Sequence, residues 1–159
     1  MRLLIAMLLF PTMLLADHLP EDKIALGKPE TVLCGIDVSR SHVRELVGKF
    51  GKPVTYDKYP KTKDAAEITW EKSGSRIHAY INVDDIAYAV DVSGDASATT
   101  TTGRGLGLGQ KLADLQRIYG NRFVTHGNRV TLQWRDGSEL RATIANDRIV
   151  SLTLVAPVE

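Results

Sequence analysis

The chain has 159 residues and a single cysteine, Cys34, so it holds no internal disulfide and its stability must come from packing. Net charge is also scarce: 20 Lys and Arg stand against 19 Asp and Glu. Without a basic excess or a run of Lys or Arg there is no surface for counterion release, and nucleic acid is not an expected partner. The histidines are His18, His42, His78 and His126, and none has a second His, a Cys or a carboxylate at metal-ligand spacing. HEXXH, CXXC and the G-x-S-x-G elbow are absent, and Cys34 has no basic neighbour to activate it. Asp84 and Asp85 are adjacent, so on a strand they would point to opposite faces, and a hairpin turn accounts for them better. The chain therefore reads as non-enzymatic, with no metal or cofactor expected.

Long apolar runs are missing too, with one exception. Arg2 precedes an apolar stretch over residues 3–15 that Pro11 interrupts and Ala16 ends, the charged–apolar–small order of a signal peptide. It falls short of the roughly 20 residues that span a bilayer. Residues 1–16 are expected to be cleaved, leaving a periplasmic or secreted chain from Asp17 with no stable membrane insertion; an N-terminal anchor is the alternative. Cys34 follows Leu33 far downstream of the apolar run, which does not suit a lipid-anchor cysteine. It reads as a buried structural thiol or as a surface thiol that pairs with another chain.

What the chain does have is a stretch written twice, over residues 70–92 and 134–155. In each copy a Gly-Ser pair follows a Trp, then come an alternating segment, an Asp-containing turn and a last apolar segment. Gly74 to Ile86 spans 86 − 74 = 12 residues and Gly137 to Ile149 spans 149 − 137 = 12. Upstream, Val43, Leu46, Val47 and Phe50 fall at i, i+3, i+4 and i+7, the stripe of a short amphipathic helix. Ser39 or Ser41 is placed to cap it, and Gly51 and Pro53 stop it. Leu112, Leu115, Tyr119 and Gly120 repeat that stripe and stop. The sequence thus predicts an internal duplication.

Three strands are expected after each helix. Ile68 and Trp70 alternate with Glu67, Thr69 and Glu71, as Val130, Leu132 and Trp134 do with Thr131, Gln133 and Arg135. Ser73-Gly74 and Asp136-Gly137 suit hairpin turns. The predicted fold class is α+β: two tandem repeats, each a short helix on a three-stranded antiparallel sheet, joined into one sheet of about six strands with the helices on one face. The division is 1–16 signal peptide, 17–34 leader, 35–92 first repeat, 93–104 linker, 105–155 second repeat and 156–159 tail. The Gly-rich GRGLGLG of residues 103–109 lacks the Lys-Ser/Thr of a phosphate loop and matches the GIDVS turn of the first repeat instead.

The pattern of Gly35-Ile36, Phe50-Gly51, Gly105-Leu106 and Tyr119-Gly120, each followed by a Trp strand and a Gly-Ser hairpin, resembles the tandem-repeat β-lactamase inhibitor protein fold. That fold is shared with the small outer-membrane assembly lipoproteins. The resemblance covers roughly residues 35–155 and implies helices packed on one face of an antiparallel sheet whose other face binds protein. The inhibitor's disulfides, its helix pair per repeat and the lipoproteins' anchoring cysteine have no counterpart here, so no functional residue is carried over.

By alternation, Arg76, His78 and Tyr80 from one repeat and Gln133, Arg135 and Arg141 from the other project from the polar face of the sheet, with Tyr88 beside them. Tyr and Arg are the residue types that most often anchor interfaces. The expectation is a binding module for a protein partner on this face, with an envelope-structural or outer-membrane assembly role as the alternative. A merely solvated strand face would carry the same residue types.

Overall fold

The computed structural model describes residues 20–59, 65–97 and 99–157. The expected signal peptide, His18 and the last two residues of the tail lie outside them. The described chain opens with a leader that contains one 3-10 turn, Glu21–Lys23, and continues into a small hairpin, β1 (Val32–Leu33) and β2 (Ile36–Asp37). Helix α1 (Val43–Phe50) precedes β3 (Thr55–Lys58), β4 (Ala66–Lys72), β5 (Ser75–Ile81) and β6 (Ala87–Gly94). Helix α2 (Leu112–Tyr119) precedes β7 (Val124–His126), β8 (Arg129–Gln133), β9 (Glu139–Ala145) and β10 (Arg148–Val155). Strands β3 to β10 form one antiparallel sheet in the order β3-β4-β5-β6-β10-β9-β8-β7.

This corrects the expectation of two three-stranded repeats in a sheet of about six strands. Among the described residues each half supplies four strands, and the single sheet has eight. The strands missed are the two edges. All four residues of β3 are exposed and β7 buries none of its three, so neither carries the apolar alternation that reveals a half-buried strand. Short polar edges of this kind also discourage pairing with other chains.

Both helices bury one stripe against one face of the sheet. Val43 and Leu46 of α1 and Leu115 and Tyr119 of α2 belong to a single core cluster with Ile68, Trp70, Ile77, Val90, Leu132, Leu152 and Leu154. The helix starts differ from expectation. His42, not a serine, is the N-cap of α1, and its N–H donates to Glu45 Oε2 at 3.1 Å. Lys111 N–H meets Asp114 Oδ2 in the same way at 3.0 Å. An acid three residues into each helix thus takes up a donor that the helix leaves unpaired. Ser41 Oγ accepts instead from Asp37 N–H in the preceding loop, at 3.0 Å. Both helices end at a glycine with φ near +83° and +85°, a conformation that a side chain would strain.

Compared element by element, the two halves match in the helices and slip within the sheet. Ile77 and Leu140 are equivalent, yet Ile77 pairs with Trp70 while Leu140 pairs with Leu132. Trp134 sits one rung further on, with its N–H donating to Ser138 O at 3.0 Å. The β4–β5 turn has two residues, Ser73 and Gly74, whereas the β8–β9 connection needs Arg135, Asp136 and Gly137. The next connection differs as well, since Ile81 pairs with Ala87 and Ile144 with Ile149. Both tryptophans stay on the helix face but at different heights. Trp70 Nε1 donates to Gly51 O, the carbonyl at the end of α1, at 3.0 Å. Trp134 Nε1 is buried and finds no acceptor among the described residues.

The leader is tied to the second half. Ala25 N–H donates to Gln133 O at 2.8 Å, next to Trp134. Glu30, 4% exposed, accepts from Thr31 N–H and Val32 N–H through Oε1, and from Arg104 N–H and the Tyr119 hydroxyl through Oε2. Tyr119 lies 2.6 Å from that carboxylate and 2.7 Å from Thr102 Oγ1, and Arg104 stacks over its ring at 5.2 Å. Burial, reinforced by the bond to Glu30, pushes the Tyr119 phenol far above its ordinary range, so it stays a donor. The hairpin turn Cys34-Gly35 takes φ of 56° and 70°, so the leader–repeat boundary drawn before Gly35 falls inside a turn.

The rung slip predicts unequal roles for the tryptophans. Trp70→Phe leaves Gly51 O without its donor, whereas Trp134→Phe removes a donor that has no acceptor. Trp70→Phe is expected to cost about 1–2 kcal/mol more than Trp134→Phe in urea unfolding. Equal costs would mean that the Nε1–Gly51 bond contributes nothing.

Candidate functional site

The face away from the helices is crossed by three rows of side chains, each set by strand register. One row runs Glu71, Arg76, Ser93, Ser151, Thr143, Arg129 and a second Thr69, His78, Asp91, Thr153, Arg141, Thr131. The third runs Glu67, Tyr80, Ala89, Val155, Glu139, Gln133. Five of the expected residues, Arg76, His78, Tyr80, Gln133 and Arg141, therefore lie on this face. Tyr88 joins them by a β-bulge: Tyr80 pairs with Ala89 and Ile81 with Ala87, so Tyr88 is the extra residue. Arg135 does not join them. It lies in the β8–β9 connection and ion-pairs with Glu21 of the leader.

Where β6 meets β10 the face sinks into a depression of about 570 Å³, lined on one side by Tyr80, Tyr88 and Asp91 and on the other by Arg129, Arg141 and Thr143. The Tyr80 hydroxyl donates to Asp91 Oδ2 at 3.0 Å, and the two tyrosine rings lie 6.1 Å apart, tilted by 51°. His78 packs edge-on against Tyr80 at 4.6 Å, and its Nδ1 lies 2.8 Å from Thr69 Oγ1. Its Nε2 approaches Glu67 Oε2 at 3.4 Å, but the alignment is too poor for a hydrogen bond. Arg141 is held by Glu139 through Nε at 2.8 Å and again through an Nη. Arg129 is exposed, and its side chain has no hydrogen bond or ion pair among the described residues. Gln133 donates to Glu139 at 3.2 Å, and Arg76 sits at the exposed margin.

Asp91 and Arg129 were not singled out from sequence. Asp91 had a signal, a lone carboxylate between Val90 and Val92 in an alternating strand. Arg129 had none, because its strand begins straight after the Gly127-Asn128 turn.

The structure also places the remaining sequence candidates. Cys34 is 4% exposed, and burial pushes its thiol up to about 12, only partly offset by Lys49, so it is a poor nucleophile. Every backbone N–H over residues 103–109 already has an acceptor, from Gly103 to Val32 O through Gly109 to Ile149 O, so the Gly-rich stretch offers no nest of free donors to a phosphate. Among the described residues no group of three or more His, Cys, Asp or Glu could hold a metal ion, and no helix is long and apolar enough to cross a membrane.

No family model matches the chain, and no curated protein matches it in sequence. Solved structures do resemble it. A cysteine-rich secretory protein from Staphylococcus aureus subsp. aureus Mu50 superposes with a TM-score of 0.54 at 12% identity, over 73% of this chain and 44% of that one. A DUF4309 family protein from Bacillus subtilis subsp. subtilis str. 168 superposes with a TM-score of 0.50 at 19% identity, over 77% of this chain and 82% of that one. The chain spans less than half of the staphylococcal protein. At these identities the likeness is one of fold.

Burial, then the charge and hydrogen bond of Asp91, then Glu67, push the Tyr80 phenol up from 10.0 to about 12. A raised folded-state value favours the neutral phenol, so the stability it contributes is present below 10 and is lost as pH rises through about 12. In an alkaline absorbance titration, Asp91→Asn should lower the Tyr80 midpoint toward 10 without reaching it, because burial remains. An unchanged midpoint would show that Asp91 does not bear on the phenol.

Proposed function

We propose that the chain is an exported, non-enzymatic module that binds a protein partner on the polar face of its eight-stranded sheet. The observation that carries this reading is the depression at the β6–β10 seam, into which two tyrosines, an aspartate and two arginines converge from both halves. Tyrosine brings a large flat surface with few rotors to immobilise, and arginine a planar fork of donors; both are enriched where interfaces concentrate their energy. The groups in the depression are arranged to hold rather than to react. Tyr80 is a protonated donor to Asp91, and Arg141 is neutralised by Glu139. The resemblance to the inhibitor fold makes a soluble enzyme the first partner class to seek, and export rests on the order of residues 1–16.

The test is an affinity capture with the chain from Asp17, from a soluble periplasmic extract and a solubilised outer-membrane fraction. The comparison is with Tyr80→Ala and Arg141→Ala. A partner bound by this face should lose about 30-fold or more in affinity with each variant, the weight of a strong interface anchor, while the melting temperature stays within a few degrees. A soluble enzyme captured this way supports an inhibitor-like role, and an integral membrane protein supports an assembly role. A partner indifferent to both variants removes the face from consideration.

A further inference from the structure

The two halves of the depression differ in how their charges are satisfied. In the second half Glu139 and Arg141 neutralise each other. In the first half Glu67 has His78 beside it, but Asp91 has no cation within ion-pair distance among the described residues and takes a single side-chain hydrogen bond, from Tyr80. Its second oxygen is left to solvent in a half-buried position between strands. The Tyr80 and Tyr88 rings stand over the same place, and Tyr88 is there only because the bulge turns it to the polar face. Burial and the charge of Glu67 raise the Tyr88 phenol too, so both rings stay neutral and electron-rich at physiological pH.

We propose that the group a partner seats in this depression is an arginine or lysine side chain, laid against Asp91 and the faces of Tyr80 and Tyr88. This rests on the reading of the face as protein-binding. A carboxylate in a partly desolvated recess gains most from a cation that hydrogen-bonds to it, and aromatic faces attract the same charge. An acidic side chain entering on the β6 side would meet Asp91, with Arg129 on the opposite wall. Arg141 is already engaged, and Arg129 stands three strands away from Asp91 in the sheet order.

The test uses peptides, so it does not depend on finding the partner. The chain labelled with nitrogen-15 is titrated with acetyl-Gly-Arg-Gly-amide, with the neutral isostere that carries citrulline, and with acetyl-Gly-Glu-Gly-amide. The arginine peptide should shift the amides of residues 88–91 and 153 saturably at millimolar concentration, and at least about tenfold more tightly than citrulline or glutamate. Asp91→Asn should abolish that preference, and Tyr88→Leu, which leaves the carboxylate in place, should weaken arginine binding by about two- to fivefold. Equal binding of citrulline, no saturable shift, or a preference that survives Asp91→Asn overturns the proposal. A partner captured through Tyr80 and Arg141 despite that result would leave the face as the binding site and remove only the cation. A partner indifferent to those two substitutions would remove the face itself.

Discussion

The joining of β6 to β10 is the contact on which the rest of the architecture depends. Five antiparallel residue pairs, from Ala89 with Val155 to Ser93 with Ser151, turn two four-stranded halves into one sheet and leave only β3 and β7 as edges. Because side chains alternate along a strand, the same two strands serve both faces. Val90, Val92, Leu152 and Leu154 point to the helices and are at most 1% exposed, while Asp91, Ser93, Ser151 and Thr153 form the floor of the depression. The core and the candidate site are therefore two sides of one seam. A shift of one residue in its register would exchange them, which is why the hydrophobic pattern holds that register so firmly.

The helices and the leader are held by different means. The helices depend on their buried stripes and on the glycine at each end. The leader has little apolar surface to bury, since Leu26 is 63% exposed, and depends on Glu30. A carboxylate at that depth is tolerable because two backbone donors meet one oxygen, and a third donor and a phenol meet the other. One acidic side chain thus ties together the start of the described chain, the Gly-rich arm before α2 and the end of α2.

How far the sequence foretells this depends on how much of each element is buried. Val43, Leu46 and Phe50, and the Ile68–Trp70 and Ile77–Ile81 alternations, are legible because burial imposes a period on them, whereas Val47, expected in the same stripe, is exposed. Thr55–Lys58 and Val124–His126 are edges without a buried residue, and nothing in their composition separates them from loop. The tandem tryptophans mislead in a particular way. Matching letters aligned Trp70 with Trp134, but a two-residue turn against a longer one sets the residues one rung apart. Of the site, the polar face was legible from alternation, and Arg135 was misplaced because the strand ends before it. Tyr88 is on the face through a bulge that no periodicity announces, and Asp91 was visible as a charge between valines. The tie between Glu30 and Tyr119 joins residues 89 positions apart and has no local signature.

That separation bears on the order in which the molecule can be completed. The long-range partners of residues 20–30, Gln133 O, Arg104, Arg135 and the Tyr119 phenol, are all encoded after the whole first half. At ordinary rates of synthesis the 89 residues from Glu30 to Tyr119 take about 5–20 s to appear. During that interval the first helix and its four strands can assemble, but the leader has no partner to meet. It is the earliest of the described segments to be made and among the last that can dock, so its closure reports that the second half has folded.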